Sequence, residues 1–309
     1  MKKIIAISVG DLNGIGIELA LRCHDEIKEI SSPLYCINNN MLKKASKLLN
    51  IPIPLDFEII SPNSEDFKIK PASISKESGK YSYQSFVKAV ELARNKKVDA
   101  IVTLPIHKKA WELAGINYKG HTDALRDFFN INAIMMLGCE KMFVALYTEH
   151  IPLKDISLYI DVSKLVIFLV DFYKNIESEL EYDEVIALLA LNPHAGDDGV
   201  LGNEEKIILE AREKAHLIIG KQVYSAPLVP DIAFTPRVRK KYKYFVAMYH
   251  DQGLAPLKAL YFDEGINVSL NLPIIRTSVD HGTAFDIAYK SITYLNKESY
   301  LNAINYIIK

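Results

Sequence analysis

Short apolar runs alternate with amphipathic stretches along the first third of the chain. Residues 4–9 are apolar apart from Ser8 and predict a buried β-strand. A glycine-rich turn follows, then a helix over residues 18–23. Residues 34–37 predict a second strand, and residues 41–49 a helix. Residues 61–80 are polar, with Pro62, Pro71 and several serines, and read as loop. Phe86, Val87, Val90 and Ala93 recur at helical spacing and predict a helix over residues 81–94. Residues 100–103 predict a buried strand that ends before Pro105. Strands and helices in alternation predict a parallel sheet covered by helices.

The middle of the chain changes character. Residues 133–137 and 143–147 predict two strands close enough in sequence to pair antiparallel. Residues 161–173 predict a helix capped by Asp161 or Ser163. Residues 185–191 form a fully apolar strand that runs into Asn-Pro-His-Ala-Gly, and residues 203–215 a strong helix. Residues 244–249 predict another strand, running into His-Asp-Gln-Gly. A strand at 267–270, a polar loop and two C-terminal helices complete the pattern. No repeat, low-complexity tract or linker marks off an independent domain.

Charge and composition narrow the function. Lys plus Arg number 37 and Asp plus Glu 38, so whole-surface charge does not recruit nucleic acid or anionic lipid. The longest apolar runs, such as 185–191, fall far short of a membrane span. The N-terminal apolar run breaks after Val9 and meets Asp11, which reads as a strand and not a signal peptide. Cys23, Cys36 and Cys139 are odd in number and form no CxxC pair. That argues against a disulfide framework or a thiolate zinc site and fits a reducing cytoplasm. The aromatic residues, 17 Tyr among them, read as core or interface.

The candidate chemistry lies where strands end. Three predicted strand ends carry histidine, at His150, His194 and His250. Each alone reads as a hydrogen-bonded loop histidine. Three at equivalent positions in an α/β sheet also read as an open, catalytic metal site. Gly10 to Gly16 lies where a dinucleotide fingerprint would, but its spacing differs from GxGxxG and no acidic residue closes the second strand. A tight strand-to-helix turn is the plainer reading. A P-loop is excluded because Gly79-Lys80 continues to Tyr81. Gly120-His121-Thr122-Asp123 opens a predicted helix, where backbone N–H groups bind anions or Thr122 serves as a simple N-cap. Lys258, Asn267 and Arg276 can donate to a phosphate or carboxylate, and residues 273–284 form either a phosphate- or adenosine-binding loop or a solvated one.

Taken together, GDLNGIGIEL, TLPIHKKAW, GHTD, TEHIPLKD, LNPHAGDDGVLGNEE, MYHDQGLAPLK and INVSLNLPIIRTSVDHGTAFDIA resemble the ordered signature of the 4-hydroxythreonine-4-phosphate dehydrogenase (PdxA) family across residues 10–288. The resemblance implies an α/β, isocitrate/isopropylmalate dehydrogenase-like two-lobe fold with a mixed central sheet. Residues 1–120 plus 265–309 would form an outer, cofactor-side lobe and residues 121–264 a metal-binding and dimerisation lobe. It implies oxidation of 4-phosphooxy-L-threonine by NAD or NADP in pyridoxal phosphate synthesis, in a cytoplasmic homodimer. One divalent cation (Zn, Mg or Co) per subunit would be held by His150, His194 and His250. In the family that site draws on both subunits, so His150 would come from one chain and the other two from its partner. Substrate contacts would be His121, Thr122, Lys258, Asn267 and Arg276. Asp280, His281, Gly282 and Thr283 would hold the cofactor. Lys258 and Asp231 are both candidates for the general base.

The chain departs from the usual pattern at five places, one of them His107, which stands for the Asn of a Pro-Ile-Asn-Lys segment. Elsewhere Leu12-Asn13 stands for Pro-Ala, Ile17 for Pro, Asp197-Asp198 for Glu-Gly and Asn271 for Gly. Competing readings are a dehydrogenase of threonate or erythronate 4-phosphate, a metal-dependent phosphohydrolase needing no NAD, and a non-catalytic binding protein.

Overall fold

The first apolar run forms β1 (Ile4–Ser8), buried along all but its first residue. In the computed structural model, which describes residues 2–290 and 295–309, it is followed by α1 (Gly16–Arg22), α2 (His24–Ile30), β2 (Ser32–Cys36) and α3 (Asn39–Leu49). Then come α4 (Lys76–Arg94), β3 (Ala100–Thr103), α5 (Lys108–Leu113) and α6 (His121–Phe129). The middle holds β4 (Ile134–Cys139), β5 (Met142–Leu146), α7 (Val162–Ile176), β6 (Ala187–Leu188) and α8 (Glu204–Ile219). It continues with the short α9 (Pro230–Ala233) and α10 (Pro236–Arg239), β7 (Tyr244–Ala247) and α11 (His250–Tyr261). β8 (Ile266–Leu270), β9 (Ile275–Val279) and α12 (Glu298–Ile308) end the chain. Residues 291–294, where part of the expected pair of C-terminal helices falls, lie outside the described residues.

Residues 1–131 with 266–309 form one compact unit, and residues 132–265 a second. The first boundary falls after α6 and not before it. Ala124 and Leu125 of α6 pack with Phe86, Val90, Ile101 and Trp111 in the core of the first unit. In this unit β1 pairs in parallel with β2 and β3, β3 with β9 in parallel, and β9 with β8 antiparallel. Helix α4 starts five residues earlier than hydrophobic spacing predicts. The Ser75 side chain accepts from the Ser78 N–H and caps a first turn with little apolar signal.

The second correction concerns β9. Residues 273–284 read as one polar loop, yet Ile275–Val279 is a strand with four buried residues. Its polar side chains find internal partners, as Thr277 Oγ1 does by donating to the Ala303 carbonyl at 2.8 Å. Arg276, Thr277 and Ser278 thus hide a strand from any reading based on apolar alternation.

In the second unit β4 and β5 pair antiparallel, as predicted, and β5 and β6 each pair in parallel with β7. Asp161 caps α7 by accepting from the Lys164 N–H. Residues 186–190 are all fully buried, but only Ala187–Leu188 pair with β7. The flanking Ile186 and Leu189 bridge Tyr224 and Leu228, and the Leu189 N–H also donates to the Val246 carbonyl of β7 at 3.0 Å. Gly253 lets α11 lie against β5 and β7, because a side chain there would meet Val144 and Ala247. Among the described residues no helix is long and apolar enough to cross a membrane.

Candidate active site

In the first unit, strand register gathers polar groups around one guanidinium. Thr103 and Ser278 are partners at the end of the β3–β9 ladder, and Arg276 faces Ser269 across β8–β9. Arg276 is 2% exposed. Its Nη1 donates to Ser269 Oγ at 2.9 Å and its Nη2 to Thr103 Oγ1 at 2.7 Å. Its Nε is buried with no partner, and among the described residues no carboxylate pairs with it. Burial pulls its pKa down to about 9, so the group stays charged at neutral pH. A buried charge without a counter-ion is costly unless a ligand supplies one.

His121 opens α6 beside this group. Its ring lies 4.8 Å from the Phe86 ring and edge-on to Trp111 at 5.4 Å. Burial, and then the Arg276 charge, hold its pKa well below the usual histidine range, so the imidazole is neutral. Thr103 Oγ1, already accepting from Arg276, has its proton free for His121 Nδ1 at 3.5 Å. His121 Nε2 is buried with no partner. Asn267 Oδ1 is likewise buried and unpaired. Thr122 is not the N-cap. Gly120 holds that position, and the Thr122 hydroxyl sits 3.3 Å from Ser269 Oγ.

The Gly10 to Gly16 segment is a strand-to-helix turn, as its spacing suggests. Gly10 takes φ of +70°, and Asp11 N–H donates to the Pro105 carbonyl at 2.8 Å. The Asp11 carboxylate is fully buried, accepting from Asn13 N–H at 2.9 Å and Ser78 Oγ at 3.1 Å. Burial raises its pKa to about 6. The turn props the loop that carries residues 280–283. Ile15 N–H donates to the Thr283 carbonyl at 3.1 Å, and a Cβ on Gly14 would stand 2.8 Å from that oxygen. In the loop itself Asp280 N–H donates to Ser299 Oγ at 3.0 Å, His281 Nδ1 lies 3.1 Å from the Gly282 carbonyl, and the space beside Gly282 is open.

In the second unit, the register of β5 and β7 brings two predicted metal histidines together. The ladder continues past both strands through Tyr147 N–H to the Ala247 carbonyl and Thr148 Oγ1 to the Met248 carbonyl. Gln252 ties the same end to β6 by accepting from Met248 N–H and donating to the Ala190 carbonyl, each at 2.7 Å. The His150 and His250 rings end 5.9 Å apart, centroid to centroid. His250 Nδ1 lies 2.7 Å from Asp251 Oδ1, which turns Nε2 outward. The expectation put these two rings on different chains, whereas here they are neighbours in one. His194 does not join them, and among the described residues no set of three His, Cys, Asp or Glu is placed to hold a metal within one chain. Lys258 lies two turns beyond His250 on α11, with Nζ 5.8 Å from the Phe262 ring. Asp231 is exposed in the first turn of α9.

His194 sits in an unusual turn. Residues 194–198 all have positive φ, from 45° to 80°, which is one turn of left-handed helix with a single glycine in it. Such a conformation costs about 1–2 kcal/mol for each L-residue, so tertiary contacts must hold it.

Known proteins match this arrangement along nearly its whole length. The sequence profile described as "Pyridoxal phosphate biosynthetic protein PdxA" matches residues 29–307. The chain belongs to the PdxA family. A PdxA relative from Sulfurimonas denitrificans, named 4-hydroxythreonine-4-phosphate dehydrogenase, is 60% identical over 96% of each chain. One of the same name from Campylobacter fetus is 55% identical over 99% of this chain and 97% of its own. The crystal structure of the Klebsiella pneumoniae protein of that name is 30% identical and superposes with a TM-score of 0.81 over 100% of this chain and 98% of that one. A β-decarboxylating dehydrogenase from Thermococcus kodakarensis, 14% identical over 98% of this chain and 82% of that one with a TM-score of 0.54, shares the fold alone.

Two departures from the usual PdxA pattern have a backbone explanation. Asn271 and Asp198, which stand where glycine is usual, have φ of 60° and 55°. Asn and Asp enter that region more readily than other side chains. Sequence reasoning missed three groups that bond the residues around the site: Thr103, Ser269 and Gln252. The first two left a readable signal, a hydroxyl inside an otherwise buried strand.

Proposed function

We propose that this chain oxidises 4-phosphooxy-L-threonine to 2-amino-3-oxo-4-phosphooxybutanoate, with NAD or NADP taking the hydride. The product, a β-keto acid, then loses CO2 to give 3-amino-2-oxopropyl phosphate, an intermediate in pyridoxal phosphate synthesis. The observation that carries the reading is the buried Arg276, charged and without a carboxylate, beside the buried and unpaired His121 Nε2. That pair suits a phosphate or carboxylate, which brings its own negative charge.

His150, His194 and His250 would hold one divalent cation. The donor set fits: imidazole suits zinc and cobalt, and two of the rings already stand 5.9 Å apart with Asp251 orienting one of them. When bound, the cation supplies positive charge beside the hydroxyl that is oxidised, and the nicotinamide supplies the hydride acceptor. The rest falls to side chains of this chain. Arg276, His121, Thr122, Asn267 and Lys258 bind the anionic ends of the substrate and fix its orientation. Lys258 Nζ or the Asp231 carboxylate, directly or through water, takes the hydroxyl proton. Asp280, His281, Gly282 and Thr283 hold the cofactor, and the open space at Gly282 suits close approach of a flat ring. Leu153, Leu158, Ile167 and Leu217, between 59% and 83% exposed, support a homodimer through the second unit. The separation of His194 from the other two rings suits a site completed by the second copy. The three thiols, buried and outside any disulfide, support the cytoplasm.

The test is a coupled assay on purified protein with 4-phosphooxy-L-threonine, NAD, NADP and a series of divalent cations. A cation-dependent rise in reduced-nicotinamide absorbance is expected. Phosphate release without NAD would make the chain a phosphohydrolase. A rate with threonate or erythronate 4-phosphate exceeding that with the threonine compound would reassign the substrate.

A further inference from the structure

The left-handed turn that carries His194 is wrapped around one carboxylate. Glu205, in the first turn of α8, reaches back to the residues that enter the turn. Its Oε1 accepts from Leu191 N–H at 3.0 Å and from Asn192 N–H at 2.7 Å. Its Oε2 accepts from Asn192 Nδ2 at 3.0 Å, and the same nitrogen donates to Glu204 Oε2 at 2.8 Å. The far side of the turn closes on the same group. A Cβ on Gly196 would stand 2.5 Å from Glu205 Oε2, and Leu201 N–H donates to the Gly196 carbonyl at 3.0 Å. Pro193 and His194 therefore lie between a segment that Glu205 holds by hydrogen bonds and one, at Gly196, that packs against its carboxylate. The first turn of a helix favours the negative charge this requires.

We propose that Glu205 is a positioning residue for His194: it sets the backbone that aims the imidazole, and through it the affinity of the divalent-cation site. This rests on His194 being a ligand of that cation. Groups that orient metal ligands typically alter affinity by about 10- to 100-fold when removed.

The test uses Co2+ with purified, chelator-treated protein, read by calorimetry and by the visible spectrum of bound Co2+. Glu205→Ala is expected to weaken Co2+ binding by about 100-fold and to change the spectrum. Glu205→Gln keeps an acceptor for both backbone N–H groups but turns a donor toward Asn192, so a loss of about 10-fold is expected. It also decides the matter if the alanine variant does not fold. Either folded variant binding Co2+ within about twofold of the parent, with an unchanged spectrum, would overturn the role, whatever its thermal midpoint. His194→Ala separates the two ideas. If it binds Co2+ as the parent does, the ligand reading fails. If it loses Co2+ while the Glu205 variants keep it, only the positioning role fails.

Discussion

Replacing Asp11 by Asn is expected to abolish a loss of stability that the parent suffers as pH rises from about 4 to about 7. Asp11 is fully buried, with two hydrogen bonds to its carboxylate, and burial lifts its pKa from 3.8 to about 6. In the unfolded chain the proton leaves near 3.8, while in the folded chain it stays until about 6. Between those values the folded state binds more protons than the unfolded one. Stability therefore falls as pH rises through that window and levels off above it. The gap corresponds to about 3 kcal/mol. Asparagine occupies the same volume, accepts from Asn13 N–H and carries no charge to desolvate. The difference in unfolding free energy, variant minus parent, should then grow by up to about 3 kcal/mol between about pH 4 and about pH 7. Urea titrations of both proteins at steps across that range measure it. Because desolvation and not a neighbouring charge causes the shift, added salt should leave the difference unchanged. Parallel profiles for the two proteins would refute the argument, since they would mean that Asp11 titrates alike folded and unfolded.

Arg276→Met removes a buried charge that has no counter-ion. The thermal midpoint should hold or rise, while KM for the phosphorylated substrate climbs at least about 100-fold. A fall in both stability and affinity would make the guanidinium a structural group. His250→Ala should abolish cation-dependent NADH formation in a chain whose circular dichroism is unchanged, and full activity with cation still bound would overturn its assignment. Gly79→Ala drives a methyl into the Ala110 carbonyl where α4 crosses α5, and the urea midpoint should report a loss of about 2–4 kcal/mol.

Most of the strand and helix order was legible because buried strands are apolar and surface helices repeat every three to four residues. β3 was readable to its last residue, and α7 to its Asp161 cap. β9 was not, because Arg276, Thr277 and Ser278 stand where a strand would otherwise show Val and Ile, and the partners of the first two, Thr103 and the Ala303 carbonyl among them, are distant in sequence. The length of β6 was also invisible, since burial of residues 186–190 depends on partners drawn from Tyr224 and Leu228 as well as from β7.

Sequence by itself determined the chemistry on offer: which side chains can bind an anion, which can ligate a cation, and where glycine or asparagine must turn the backbone. Tertiary structure alone decided which of them meet. His150 and His250 are neighbours only because β5 and β7 pair in parallel in one register, and Arg276 is starved of a counter-ion only because β3, β8 and β9 close around it. Local pattern records what a residue is and how its near neighbours repeat. Pairing across a hundred residues leaves no such trace, because it follows from how buried surfaces fit together.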